Sequence, residues 1–333
     1  MYTIVSKLEH IEQLLQEQQQ MYRESGTLRA PTRKPVLIMT FGPTGVGKSA
    51  LARAAAAYER VDYSKCVTTL VDDLVENDRV YKEKVDLIIE KYTLEKDGSI
   101  LLKPSEKMFK EFGQAYVASR FQMGCRETKP EDPTWNCNKQ NDLRLFDAID
   151  KGKDIIFETT GAGSRDGEHF FKNDYQWLYD KVNGKYRIVA VFATVTFCEL
   201  VRRNKRRAVN DLIKYIQNRD GPAPRLPNVL DDKDNNVYRR LTALISQIMD
   251  EMTTSCLHPS CRAGGIAGCS CSVDRILIYN NNGDRLQLQL QYNKDMPVDA
   301  EQKRHELKNI LGIMMHMATT RCAEDQRRDT AGS

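Results

Sequence analysis

No stretch of this chain is apolar for the length that a bilayer demands, and the opening MYTIVSKLEHIEQ carries charges every few residues with no apolar signal core. Membrane spans and secretion leaders therefore drop out of the reading, and the expected compartment is the cytoplasm. A surplus of one charge is also missing: 50 Lys and Arg against 46 Asp and Glu leave +4. That is too mild for a protein whose whole surface addresses a polyanion. There is no internal repeat and no long low-complexity segment, which excludes solenoids and arrays. Nine cysteines scattered over 333 residues suit reduced thiols better than a disulfide framework. What remains, 41% hydrophobic and 29% charged, fits an α/β enzyme of one large domain with appendages or two smaller ones.

The most specific pattern is Gly42-Pro43-Thr44-Gly45-Val46-Gly47-Lys48-Ser49, which spells G-x-x-x-x-G-K-[ST] directly after the apolar run Val36-Leu37-Ile38-Met39. Such a loop, between a buried strand and a helix opening at Lys48, binds a nucleoside triphosphate. The glycines let backbone N–H groups converge on phosphate, Lys48 reaches the β/γ oxygens, and the Ser49 hydroxyl ligates Mg²⁺. The helix N-terminus, with Ala50 in its first turn, adds its positive dipole end.

Strands and helices then alternate: a strand at 36–41, a helix at 48–59, and strands near 67–71, 154–157, 186–194 and 274–279. That order predicts an α/β P-loop NTPase or kinase fold, a mostly parallel five-stranded sheet flanked by helices. The turn Asn281-Asn282-Gly283-Asp284 predicts a C-terminal hairpin strand over 285–291, with leucines alternating along it. Residues 74–151 read as largely helical, with a Pro/Cys/Trp loop at 130–138, and further helices are expected at 197–218 and 233–255. Added helices flank this core. Ile4, Leu8, Ile11 and Leu15 stripe an N-terminal helix over 2–24, and Leu307, Ile310, Leu311, Met314 and Met315 stripe one over 298–321. Each packs on the core or offers a surface to a protein partner. The last dozen residues read as disordered. The domain reading is 1–34 helix and linker, 35–295 kinase domain with a helical substrate region at 74–151 and a Cys-rich insertion at 256–272, and 296–333 helix and tail.

Candidate chemistry clusters at predicted strand ends. Asp72 and Asp73 close the second strand, where a carboxylate accepts a proton from an attacking hydroxyl or caps the next helix. Glu158 closes the third, in Glu158-Thr159-Thr160-Gly161, placed to bind substrate hydroxyls or to hold a water on Mg²⁺. Arg202, Arg203, Lys205, Arg206 and Arg207 share one helix, with Arg203 and Arg207 on one face; they stabilise phosphoryl charge or form a solvated basic face. Arg225 sits in the stiff loop GPAPRLP, which leaves an arginine little entropy to lose on binding phosphate. A GTPase is disfavoured because no N-K-x-D reader follows a late strand; Asn138-Lys139-Gln140-Asn141 fails at its last position and precedes the third strand.

GPTGVGKS, Asp72-Asp73, IFETTG at 156–161, VTFCELVRRNKRR, the Arg225 loop and DRILIYNNNGDRLQL, in that order, resemble the zeta-toxin family of P-loop kinases over roughly residues 35–292. The resemblance implies transfer of the γ-phosphate of ATP, with Mg²⁺, to a hydroxyl of a UDP-linked amino sugar. It implies Asp73 as general base, Lys48 and Ser49 as phosphate and Mg²⁺ ligands, Arg207 and Arg225 as γ-phosphate clamps, and Glu158 and Thr160 as substrate contacts. Where the family motif continues into an arginine this chain has Ala162, and Arg165 is the nearest replacement.

Cys256, Cys261, Cys269 and Cys271 lie in a Gly-rich insertion; they close a structural zinc site or stand as free thiols, C-x4-C-x7-C-x-C being no standard spacing. Three functions follow from the sequence: an ATP-dependent kinase acting on a small hydroxyl compound, a nucleotide or polynucleotide kinase whose Arg202–Arg207 cluster faces a phosphodiester, and a nucleotide-gated binding module without turnover.

Overall fold

A computed structural model describes residues 33–96, 99–102, 105–159, 176–225, 273–282, 285–293 and five residues between 305 and 312. The N-terminal helix, Thr160, Arg165, the helix expected at 233–255 and the four-cysteine insertion lie outside the described residues. So does the apolar stripe of the C-terminal helix.

Six strands form one sheet in the order β2-β5-β1-β6-β7-β8: β1 (Val36–Phe41), β2 (Val67–Thr69), β5 (Ile155–Thr159), β6 (Arg187–Thr194), β7 (Arg275–Asn280) and β8 (Gln287–Asn293). β1 pairs parallel with both β5 and β6, and β6 parallel with β7. A central strand covered on both faces must be apolar throughout, and all six residues of β1 are buried. Phe41 stacks on Phe192 of β6, ring centroids 4.9 Å apart.

β8 runs antiparallel to β7 and closes the hairpin. Its register shifts at Ile278/Tyr279, so Leu288 and Leu290, two apart in sequence, do not share a fate: Leu290 is buried and Leu288 exposed. A bulge of one residue breaks the alternation that the leucines alone imply.

The chain divides into two compact units, Met1–Thr68 with Ala148–Leu200 and Asp234–Ser333, and Thr69–Asp147 with Val201–Lys233. The first holds the sheet together with α1 (Lys48–Tyr58) and α6 (Gln176–Val182). In the second, α2 (Val71–Asn77), α3 (Arg79–Tyr92) and α4 (Glu106–Ala118) surround an apolar core that includes Val75, Tyr81, Val85, Ile89, Met108 and Phe112. Asp78 caps α3 by accepting from the Tyr81 N–H at 3.0 Å, and Ser105 caps α4 by accepting from Met108 at 3.1 Å. The buried stripe of α4 runs Met108, Phe112, Ala115 and on to Ser119; Val117 falls off that spacing and is exposed. α5 (Cys137–Asp150) and α7 (Phe197–Gln217) each span a boundary between the units.

Two expectations need correction. Residues Thr93–Lys96 (β3) and Ser99–Leu102 (β4) form a two-stranded antiparallel hairpin where the sequence reads as helix. The β-branched Thr93 and Ile100 favour strand over the helical stripe of the flanking segments. The thiols are not uniformly reduced either: Cys125 and Cys137 form a disulfide, and Cys198 is also disulfide-bonded, whereas Cys66 is free. A five-residue π-helix (Ser119–Met123) and a left-handed Cys125 (φ 60°) fold the chain back to bring Cys125 onto Cys137. A Cβ on Gly124 would press on the Ser119 carbonyl and approach Cys137 Sγ to 2.8 Å, so this approach depends on glycine. Sequence spacing carries no trace of that turn.

Closing a short loop of the denatured chain should stabilise the fold by about 2–4 kcal/mol. Urea denaturation of Cys137→Ser should show a loss of that order; an unchanged midpoint would mean that the pair is not bonded in solution.

Candidate functional site

In the first unit the loop between β1 and α1 is built from positive-φ glycines: Gly42 at φ 144°, Gly45 at 86° and Gly47 at 90°. A Cβ on Gly42 would come within 2.8 Å of Val46 Cγ1. The Gly42 N–H donates to the Thr159 carbonyl at 3.3 Å, and the Val46 N–H turns back to the Pro43 carbonyl at 3.2 Å. Lys48 folds over the loop, its Nζ donating to the Gly42 carbonyl at 3.1 Å. An ammonium held against the mouth of a ring of backbone amides is an anion cradle.

The parallel register sets Thr40 beside Glu158 and Phe41 beside Thr159. The β5 carboxylate therefore emerges next to the loop, and Ser49 Oγ donates to Glu158 Oε1 at 3.2 Å. A hydroxyl and a carboxylate at this separation, beside an anion cradle, are hard oxygen donors fit for Mg²⁺ or its coordinated water. Lys48, Ser49 and Glu158 are thus brought together, with Gly42, Pro43, Thr44, Gly45, Val46, Gly47 and Ala50 framing them. Asn281, which the sequence marks only as a turn residue, also touches this loop: its Nδ2 donates to the Val46 carbonyl at 2.8 Å.

The second unit holds a network of charges. β2 stops at Thr69, and Asp72 and Asp73 lie in the first turn of α2 rather than at a strand end. Neither is the capping residue, which is Leu70. Asp72 contacts the Arg225 guanidinium and accepts the Tyr116 hydroxyl. Arg225 Nε lies 3.7 Å from Glu76, and its Cζ 5.9 Å from the Tyr116 ring centroid. The Pro-rich loop is fixed by more than its prolines: the Ala223 N–H donates to the Glu76 carbonyl at 2.7 Å and the Tyr81 hydroxyl to the Pro224 carbonyl at 2.9 Å. Arg207 lies 3.1 Å from Asp211 and 3.7 Å from Glu76, and is 43% exposed. Both expected phosphate clamps are therefore ion-paired, Arg225 deeply and Arg207 at the surface.

Burial dominates the titration of these acids. It raises Asp73 above the ordinary carboxylate range, while Arg144 and Arg207 work against the shift. It pushes Glu76 up to about 7, with Arg207 opposing and Asp73 and Asp211 reinforcing. Burial also pushes the Arg225 guanidinium down to about 10. Glu76, one turn beyond Asp72, and Tyr116 escaped the sequence reading; the i,i+4 spacing of two acids opposite a single buried arginine was the available signal for the first.

Among the described residues one group has metal-ligand geometry, Asp78 with Cys125 and Cys137, its donor atoms within 4.8 Å of one another. Its sulfurs are bonded to each other, and Asp78 accepts the Cys125 N–H at 2.7 Å. Among these residues no helix is long and apolar enough to cross a membrane.

No protein-family model matches the chain, and no curated protein matches it. Among solved structures it is similar to a chain from the molecular and structural characterization of the PezAT chromosomal toxin-antitoxin system of the human pathogen Streptococcus pneumoniae. That match has a TM-score of 0.43 and 13% identity, and covers 92% of this chain and 96% of that one. At such a TM-score the likeness carries no weight, and the chemistry rests on the loop, strand ends and helices described above.

A raised carboxylate pKa has a testable sign. Between about pH 4.5 and about 7 the unfolded chain has lost the Glu76 proton while the folded chain retains it, so stability falls as pH rises and levels off above the folded value. Glu76→Gln should flatten this part of the stability profile measured by denaturation. A slope unchanged from wild type would assign it to other buried acids.

Proposed function

We propose that this chain is a P-loop kinase of zeta-toxin type, transferring the γ-phosphate of Mg·ATP to a hydroxyl of a small molecule. The observation that carries the reading is the conjunction of Lys48 over the glycine-lined loop with the Ser49–Glu158 pair at 3.2 Å. In this reading the loop amides and Lys48 hold the β- and γ-phosphates. Ser49 and Glu158 would hold Mg²⁺, which would supply positive charge to the phosphates.

Asp73 is assigned the general base. Burial raises its pKa, and a more basic carboxylate accepts a hydroxyl proton more readily, which supports that role. Arg207 and Arg225 are assigned to the charge that develops on the transferring phosphoryl group. Thr160 and Arg165 remain acceptor contacts in this proposal. A nucleotide-linked amino sugar is the acceptor that the zeta-toxin resemblance implies, and it is the first compound to try.

The test is ADP release from Mg·ATP with UDP-linked amino sugars, nucleosides, nucleotides and 5′-hydroxyl oligonucleotides offered in turn. Stimulation by one small hydroxyl acceptor is expected. Asp73→Asn should lower it by about a hundredfold or more while ATP affinity stays within about threefold. The acid limb of the wild-type rate profile should lie above the ordinary carboxylate range. Stimulation only by oligonucleotides would favour the polynucleotide kinase, and none with any acceptor would favour the binding module.

A further inference from the structure

Asn281 directly follows β7 and is buried, 235 residues from the loop residue it contacts. Its backbone N–H donates to the Thr194 carbonyl at the end of β6, at 3.0 Å. Its side-chain Nδ2 donates to the Val46 carbonyl at 2.8 Å. The ground beneath it is pinned as well. Asn282 Oδ1 accepts the Thr196 N–H at 2.5 Å, and Asn282 Nδ2 donates to Asn280 Oδ1 at 3.0 Å.

A trans peptide is planar, with its C=O and the following N–H pointing to opposite sides. Holding the Val46 carbonyl against the buried Asn281 amide therefore turns the Gly47 N–H the other way. Val46 is buried, whereas Gly47 and Lys48 are only partly covered and Ser49 is exposed, so the other way is the open side of the loop. Gly47 is constrained twice. Its φ of 90° disfavours a side chain, and a Cβ there would stand 2.5 Å from Asn281 Nδ2.

We infer that Asn281 is a positioning residue for the phosphate-binding loop, fixing the Val46–Gly47 peptide so that the Gly47 N–H is presented to the phosphates. This rests on the triphosphate reading of the loop and adds to it a residue that the loop motif does not contain. Asn281 touches no phosphate; it sets the orientation of a group that does. Removing its donor leaves the peptide free to rotate, and replacing the donor with a carboxylate sets two acceptors against each other.

The experiment is calorimetric titration of the full chain with inorganic tripolyphosphate and with Mg·ATP, for wild type, Asn281→Ala and Asn281→Asp, with Tm measured for each. Asn281→Ala should bind both probes about tenfold more weakly, and Asn281→Asp more weakly still. In turnover the loss should fall mainly on KM for ATP. A role confined to the fold would lower Tm and leave the affinities, measured well below Tm, within about twofold of wild type; that result overturns the inference alone. Should Asn281→Asp not fold, Asn281→Ala decides. A wild type that binds neither tripolyphosphate nor Mg·ATP overturns the triphosphate reading itself and the inference with it.

Discussion

The parallel pairing of β1 with β5 is the constraint on which the candidate chemistry depends. Because Thr40 lies opposite Glu158 and Phe41 opposite Thr159, the loop that follows β1 and the carboxylate that ends β5 emerge side by side. A slip of one residue would turn Glu158 to the other face of the sheet and remove it from Ser49. The register is held by burial: Val36 to Phe41 and Ile155 to Phe157 are covered, so a slip would carry apolar side chains and the charged Glu158 into each other's places. Asp154 adds a lock at the opposite end, accepting from the Val36 N–H at 2.8 Å and from Arg33 at 2.7 Å.

From that edge outward, the first unit spends its polar groups on holding the loop. Gly42 is tied to Thr159, Val46 to Asn281, and Lys48 to Gly42. The second unit spends its own on a buried charge network around Arg225, where Asp72, Glu76 and Tyr116 surround one guanidinium. Taking an arginine and two acids out of water is costly unless the charges meet good partners, which makes such a network a poor source of net stability. Asp73, one residue from Asp72, lies in the same helical turn, and burial raises its pKa.

The loop and the end of β5 were legible because their signals are local, whereas Asp72 and Asp73, which read as a strand end, lie in α2 because β2 stops at Thr69. An apolar run followed by G-x-x-x-x-G-K-[ST] specifies strand, turn and helix within fourteen residues, and IIFET announces its own buried and polar ends. The hairpin β3–β4 and the Cys125–Cys137 bond were not legible, since one reverses a helical pattern over ten residues and the other depends on a π-turn with a left-handed cysteine. The partners of Arg225 were hidden for a different reason. Sequence marks a stiff loop with an arginine in it, but only the folded chain reveals that Asp72 and Glu76 meet it across about 150 residues of sequence. Asn281 reads in sequence as a turn residue alone, because its contact with Val46, 235 residues away, exists only in the folded chain.

The measurement closest to the centre of this account is ATP affinity with and without Mg²⁺, by calorimetry on the full chain, for wild type and Glu158→Gln. If Ser49 and Glu158 hold Mg²⁺ beside the loop, wild type should bind ATP about tenfold or more tightly with Mg²⁺ than with EDTA. In Glu158→Gln that difference should largely vanish. ATP binding that is absent, or equally tight under all four conditions, would contradict the assignment of this loop and strand end as a Mg²⁺-nucleotide site.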